Sequence, residues 1–142
     1  MIYLDNAATT QVGPEAAQAA VDAMTKLYAN PSSAHAFGAQ AQQLLQQSRQ
    51  TVARAAGVEA DTLYFTSGGT ASDNLAIRGF LEAYRSRGGR IITSAYEHPA
   101  VLRCFEAEEK YFQAVYLTPN PDGIIDPDLL QQALTPDTRL VS

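Results

Sequence analysis

The chain has 142 residues, 46% of them hydrophobic and 18% charged, and a formal net charge of -5. That length supports one domain with a real core. The acidic balance argues against nucleic acid or an acidic membrane as a partner, since both favour a basic face. No apolar run approaches the ~20 residues needed to cross a bilayer. The opening Met1-Ile2-Tyr3-Leu4-Asp5 lacks the basic and apolar regions of a secretory signal. Cys104 is the only cysteine, so no internal disulfide forms and no export is implied. A cytoplasmic protein is the default expectation.

Taken in chain order, residues 14–28 carry Ala17, Ala20, Met24 and Leu27 at helical spacing, with Gly13-Pro14 as the start. Asn30-Pro31-Ser32-Ser33 breaks the pattern. A longer helix is predicted over 36–56, with Phe37, Ala41, Leu44, Val52 and Ala55 as its apolar stripe and Gly57 as its stop. Residues 63–66 then read as a strand, 70–87 as a helix ended by Gly88-Gly89, and 90–94 as a second strand. A helix over 99–111, a strand over 113–117, a turn over 119–123 and a helix over 127–134 follow. Leu140-Val141 begins a last strand, and residues 138–142 read as the opening of a buried one. Its sheet bonds need partners, so the expectation is a fragment or a chain completed by another. Alternation of strand and helix predicts βαβ units and a mostly parallel sheet.

In such a sheet ligands collect beyond the carboxyl ends of the strands. Thr66-Ser67-Gly68-Gly69-Thr70 joins a strand to a helix there. Its glycines admit close approach, its free helix-start amides favour an anion such as phosphate, and the Ser67 and Thr70 hydroxyls add donors. A tight turn with a threonine cap explains the same loop equally well. It matches neither the Walker pattern nor the dinucleotide fingerprint, so a phosphate ligand smaller than a nucleotide fits better. Glu97-His98-Pro99 follows the strand over 90–94. Pro99 suits the first helical turn, which sets His98 at the strand-to-helix corner as a candidate acid or base. Taken alone, His98 reads as a helix cap or an exposed histidine.

The remaining candidates carry less. His35 follows a Ser/Pro turn and reads as structural. Cys104 stands about 240° around a helix from His98, too far for a nucleophilic pair, and reads as a buried, inert thiol. Two histidines and one cysteine at these spacings make no metal site. Lys26 and Lys110 read as solvated, and Glu106, Glu108 and Glu109 as an exposed helix face.

Four segments together carry a resemblance. They are Tyr3-Leu4-Asp5-Asn6-Ala7-Ala8-Thr9-Thr10, Asn30-Pro31-Ser32-Ser33-Ala34-His35, Thr66-Ser67-Gly68-Gly69-Thr70-Ala71-Ser72-Asp73-Asn74 and Glu97-His98-Pro99-Ala100-Val101. In this order and spacing the chain resembles the cysteine desulfurases of the class V aminotransferase group, fold-type I enzymes that use pyridoxal 5'-phosphate. The resemblance implies an α/β fold. Residues 14–142 would be the first part of the large cofactor-binding domain, a mostly parallel sheet with flanking helices, and residues 1–13 a segment lining the active site. It implies that Gly69 and Thr70 hold the cofactor phosphate. His98 would stack over the pyridoxal ring and assist proton transfer, and Asn6 and Ala8 would line the substrate side. Residues 30–35 would lie near the site or a dimer interface. It also implies L-cysteine as substrate, a sulfur-acceptor protein and a homodimer. The family commonly has Ala where Gly69 stands, Glu where Ala71 stands and Pro where Gln11 stands. Its Schiff-base lysine, in a Ser-x-His-Lys-type segment, lies well downstream, as do its pyridine-pairing aspartate, mobile-loop cysteine and substrate-binding arginine. Lys26 and Lys110 fall outside the motifs, so the 142 residues alone are expected to be inactive. A selenocysteine lyase or an aminotransferase of the same group is the nearest rival. A non-catalytic chain that binds a phosphate ligand or pairs with a second chain is the rival from another class.

Overall fold

In the computed structural model, which describes residues 2–142, Pro14 opens helix α1 (Pro14–Thr25) directly after Gly13. Its fixed φ and missing N–H suit that position. The helix stops three residues short of the expected end. The amides of Lys26 and Leu27 both return to the Asp22 carbonyl, at 2.8 and 3.3 Å, and Pro31 disfavours helix in the residue before it. The Asn30 side chain then accepts from the Ser32 amide at 2.8 Å, a turn that delivers the chain to helix α2 (Ala36–Ala56). His35 caps α2 through its ring, and Gly57 ends it at φ 69, the left-handed conformation glycine adopts without strain. Of the expected stripe Ala41 is buried, while Val52 and Ala55 face outward and Ala53, outside the expected stripe, is buried instead. The return of the chain through the 3₁₀ turn Ala60–Thr62 decides that register. These elements form the first of two units, Met1–Tyr64; the second is Phe65–Ser142.

The expected strand over 63–66 is a correction. Leu63 is extended (φ -95, ψ 126), but the segment joins no strand among the described residues, and Tyr64 is exposed. Aromatic and apolar content supplies strand propensity, yet a ladder needs a neighbour to complete its hydrogen bonds.

The second unit is built on three parallel strands, β1 (Arg90–Ser94), β2 (Gln113–Leu117) and β3 (Thr138–Val141), in the order β2-β1-β3. The central strand pairs Ile91 with Ala114 on one side and with Leu140 on the other. Burial follows from that position: Ile91 and Ile92 are fully buried on opposite faces. Helices α3 (Gly69–Glu82) and α4 (Pro99–Glu108) pack on each other. Ile77 and Leu81 of α3 join Val101, Cys104 and Phe105 of α4, together with Ile91 and Phe112, in one core. Complete burial of a side chain such as Phe105 or Leu81 stabilises by roughly 2–3 kcal/mol. Helix α5 (Pro127–Ala133) starts on an Asp126 side chain that accepts from the Asp128 amide at 2.9 Å.

Both α3 and α4 are shorter than their sequence pattern. Beyond α3, the amides of Tyr84, Arg85 and Arg87 bond carbonyls three residues back, a tighter turn that unwinds the chain towards Gly88. Gly89, at φ 126, then lets the start of β1 approach β3: a Cβ there would lie 2.5 Å from the Asp137 carbonyl oxygen. β3 gains its partners from β1 and is half-buried, with Val141 exposed. Among the described residues no helix is long and apolar enough to cross a membrane.

Glu108 is the other correction. In place of a solvated face, its carboxylate is buried and accepts from Arg85. Glu106 and Glu109 do face outward, paired with Arg103 and Tyr116. Helical rotation sets Glu108 on the inner side, and its arginine comes from the turn after α3, which only the tertiary fold brings alongside.

Candidate functional site

The carboxyl ends of the strands present two helix starts of opposite character. β1 leads through Ser94, whose hydroxyl accepts from the Tyr96 amide at 3.2 Å, to His98 as the cap of α4. The Nδ1 atom of His98 accepts from the Ala100 amide at 3.1 Å. The His98 carbonyl accepts from Val101 and Leu102, at 2.9 and 3.2 Å. Pro99 has no N–H to satisfy. The first turn of α4 is therefore closed on itself, and the imidazole belongs to the closure. The capping reading of His98 is correct as geometry, and it leaves Nε2 on an exposed ring.

α3 starts differently. Gly68 precedes it and provides no side-chain cap. Thr66, the hydroxyl nearest to hand, donates to the Gly68 carbonyl at 3.1 Å and meets Ser72 Oγ at 2.6 Å. The Ser72 amide turns back to the Gly68 carbonyl at 3.1 Å. The first-turn amides of Gly69 and Thr70 are thus left at an uncapped helix end, and no atom lies within 4 Å of where a Cβ would stand on Gly68 or Gly69. The threonine-cap reading of this loop fails, because Thr66 braces the loop from within and Thr70 lies inside the helix. Thr66 was singled out by sequence only as part of a motif. A hydroxyl two residues before the glycine pair was the signal for its bracing role.

The two starts lie at the same end of one layer. α3 and α4 run in the same sense, since Ile77 and Leu81 meet Val101 to Phe105 while Arg78 reaches Glu108 near the end of α4. A cavity of about 360 Å³, lined among others by Asp73, Ile77, Val101, Leu140 and Ser142, opens between the two helices and the end of β3. Gly69, Thr70 and His98 consequently share the carboxyl edge of the sheet. Asn6 and Ala8 belong to the first unit, in an exposed turn where the Ala8 amide bonds the Asp5 carbonyl at 3.1 Å.

The open start of α3 fits the phosphate of the pyridoxal phosphate that the resemblance implies. Backbone amides at a helix start with no side-chain cap, approached past Gly68 and Gly69 that carry no Cβ, suit a dianion, and the helix dipole adds to the attraction. The Thr70 hydroxyl is a further donor at the same turn. The one lysine of the second unit does not stand there: Lys110 lies beyond the far end of α4, over the Tyr111 ring. Cys104 is in the core, where burial pushes its thiol up from the ordinary value. A buried neutral thiol is no nucleophile.

Three comparisons align with this geometry. The family described as Aminotransferase class-V matches residues 2–142. The chain is 46% identical to a NifS/IcsS protein homolog of Lactobacillus delbrueckii subsp. bulgaricus, over all of this chain and 37% of that protein. It is 42% identical to cysteine desulfurase IscS of Dictyoglomus turgidum, over 99% of this chain and 36% of that one. The solved structure of SspA in complex with cysteine superposes with a TM-score of 0.88 at 33% identity, covering 98% of this chain and 40% of that one. The chain thus spans little more than a third of the length of the curated relatives it matches.

Proposed function

The chain belongs to the aminotransferase class-V family, and on that premise we propose that it is the phosphate-and-histidine part of a pyridoxal-phosphate-dependent cysteine desulfurase. The reaction converts L-cysteine to L-alanine and passes the sulfur on as an enzyme persulfide, for iron–sulfur cluster or thio-cofactor synthesis. The observation that carries the reading is the pair of helix starts at one sheet edge, with α3 open to an anion and α4 closed by His98. Relatives named cysteine desulfurase at 42% identity support the substrate.

Under this reading Gly69 and Thr70 hold the cofactor phosphate through backbone amides and the Thr70 hydroxyl. Bound pyridoxal phosphate supplies an electron sink for the substrate carbons. His98 would stand beside the ring and the reacting atoms. The Schiff-base lysine and the persulfide-forming cysteine lie outside these 142 residues. The enzyme works as a homodimer in the cytoplasm and hands sulfur to an acceptor protein.

The test is turnover by the intact protein supplied with pyridoxal phosphate, L-cysteine and an excess of a dithiol reductant, which releases the persulfide sulfur as sulfide and is itself oxidised to the disulfide. Equal amounts of sulfide and alanine are expected, and His98→Ala slows their release far more than it weakens cofactor retention. Selenide from selenocysteine alone, or keto-acid release without sulfide, would assign the chain to another activity of the same family.

A further inference from the structure

We infer that His98 acts through Nε2 as a hydrogen-bond donor and not as a base, a refinement that rests on its placement in the proposed site. Nδ1 accepts from the Ala100 amide at 3.1 Å, so the lone pair of the neutral ring points at that amide and the ring proton sits on Nε2. A base needs its lone pair at the atom that faces the substrate. Here the exposed nitrogen carries the proton.

The alternative tautomer is disfavoured by the architecture of α4. Moving the proton to Nδ1 would set two N–H groups against each other. The His98 carbonyl already accepts from Val101 and Leu102, and no side chain other than the imidazole caps the helix. Ala100 is 7% exposed, so water does not readily replace the lost acceptor, and a buried unpaired N–H is costly. The same device recurs in the first unit, where His35 Nδ1 accepts from the Gly38 amide at 3.1 Å as the cap of α2. Neutral imidazole held at a helix start is a known way to present a donor at neutral pH. His98 therefore donates from Nε2 to an electronegative atom of the bound substrate or cofactor, and abstraction of a substrate proton falls to a different group.

The experiment is a two-bond proton–nitrogen spectrum of the intact protein labelled with ¹⁵N-histidine, the His98 signals being those lost in His98→Asn. A protonated Nε2 and a bare Nδ1 are expected, and the reverse pattern would overturn the inference. His98→Asn retains an oxygen for the Ala100 amide, so its urea midpoint stays near that of the unaltered protein while His98→Ala unfolds earlier; equal losses in both would overturn the cap. His98→Gln carries an amide donor and no base. It should turn over at least tenfold faster than His98→Ala, and equal rates overturn the donor role. Undiminished turnover in His98→Ala would instead remove His98 from the proposed site while leaving the tautomer intact.

Discussion

Nη2 of Arg85 lies 3.2 Å from both carboxylate oxygens of Glu108, at a position where Glu108 is only 1% exposed. Arg78 Nε adds a contact of 3.4 Å to the same carboxylate, and the Arg85 guanidinium also lies 4.5 Å from the Tyr111 ring centre. The group fastens the end of α3 to the end of α4, opposite the proposed site. Glu108→Ala takes from Arg85 its buried partner, while Arg85 keeps Glu82 at 2.7 Å and part of its contact with water. It should therefore destabilise by about 2 kcal/mol, less than the loss of one partner of a fully buried pair, and Glu108→Gln, which keeps an acceptor, by about half as much. Urea denaturation of the intact protein checks this; a loss below about 0.5 kcal/mol for Glu108→Ala would show that the pair contributes little.

Gly89 makes a different prediction, about backbone approach. Alanine there would adopt φ 126 and place its Cβ 2.5 Å from the Asp137 carbonyl oxygen, across the start of the β1–β3 pairing. Gly89→Ala should cost roughly 2–4 kcal/mol from combined clash and strain. Gly123→Ala, also at positive φ but with its nearest atom 3.9 Å away, should cost about 1 kcal/mol. Thermal melts of the two variants side by side decide it, and comparable losses would mean that conformation alone matters at Gly89.

Thr70 tests the phosphate assignment. Loss of one hydroxyl donor to a charged group is worth about 1.5–3 kcal/mol. Thr70→Ala is accordingly expected to weaken pyridoxal phosphate retention about tenfold or more, with no change in the melting of the cofactor-free protein. Equilibrium dialysis gives the affinity, and unchanged retention removes Thr70 from the phosphate site.

Tyr116 supplies a pH dependence. Burial, and then donation of its hydroxyl to Glu109 at 2.8 Å, push its phenol up from 10.0 to about 12. The folded protein holds this proton more tightly than the unfolded chain. The contribution to stability is thus complete below pH ~10 and disappears as pH rises through about 12. Phenolate absorbance of the folded protein should show one tyrosine titrating late, and Tyr116→Phe should abolish that component. Persistence of the late component in the variant would assign it elsewhere.

Helix starts were legible because they depend on local chemistry. Pro14, Pro99 and Pro127 all occupy first turns, and Gly57 ends α2 as expected. The parallel sheet was legible from the rhythm of strand and helix. The strand over 63–66 was misread because its aromatic pattern encodes propensity while a ladder depends on a neighbour. Glu108 was misread because its acidic neighbours resemble a surface, and its partner Arg85 stands 23 residues away.

The sequence by itself determined the order of elements, the glycine-bearing loop before α3 and the corner that carries His98. These rest on interactions within a few residues, where chain connectivity already brings the groups together. Local contacts, Thr66 with Gly68 and His98 with Ala100, likewise leave α3 open and close α4. The tertiary structure alone decided that both starts share one sheet edge, and that a carboxylate within an acidic run is buried beneath two arginines. Those outcomes depend on elements far apart in sequence, whose side chains meet only when the helices pack.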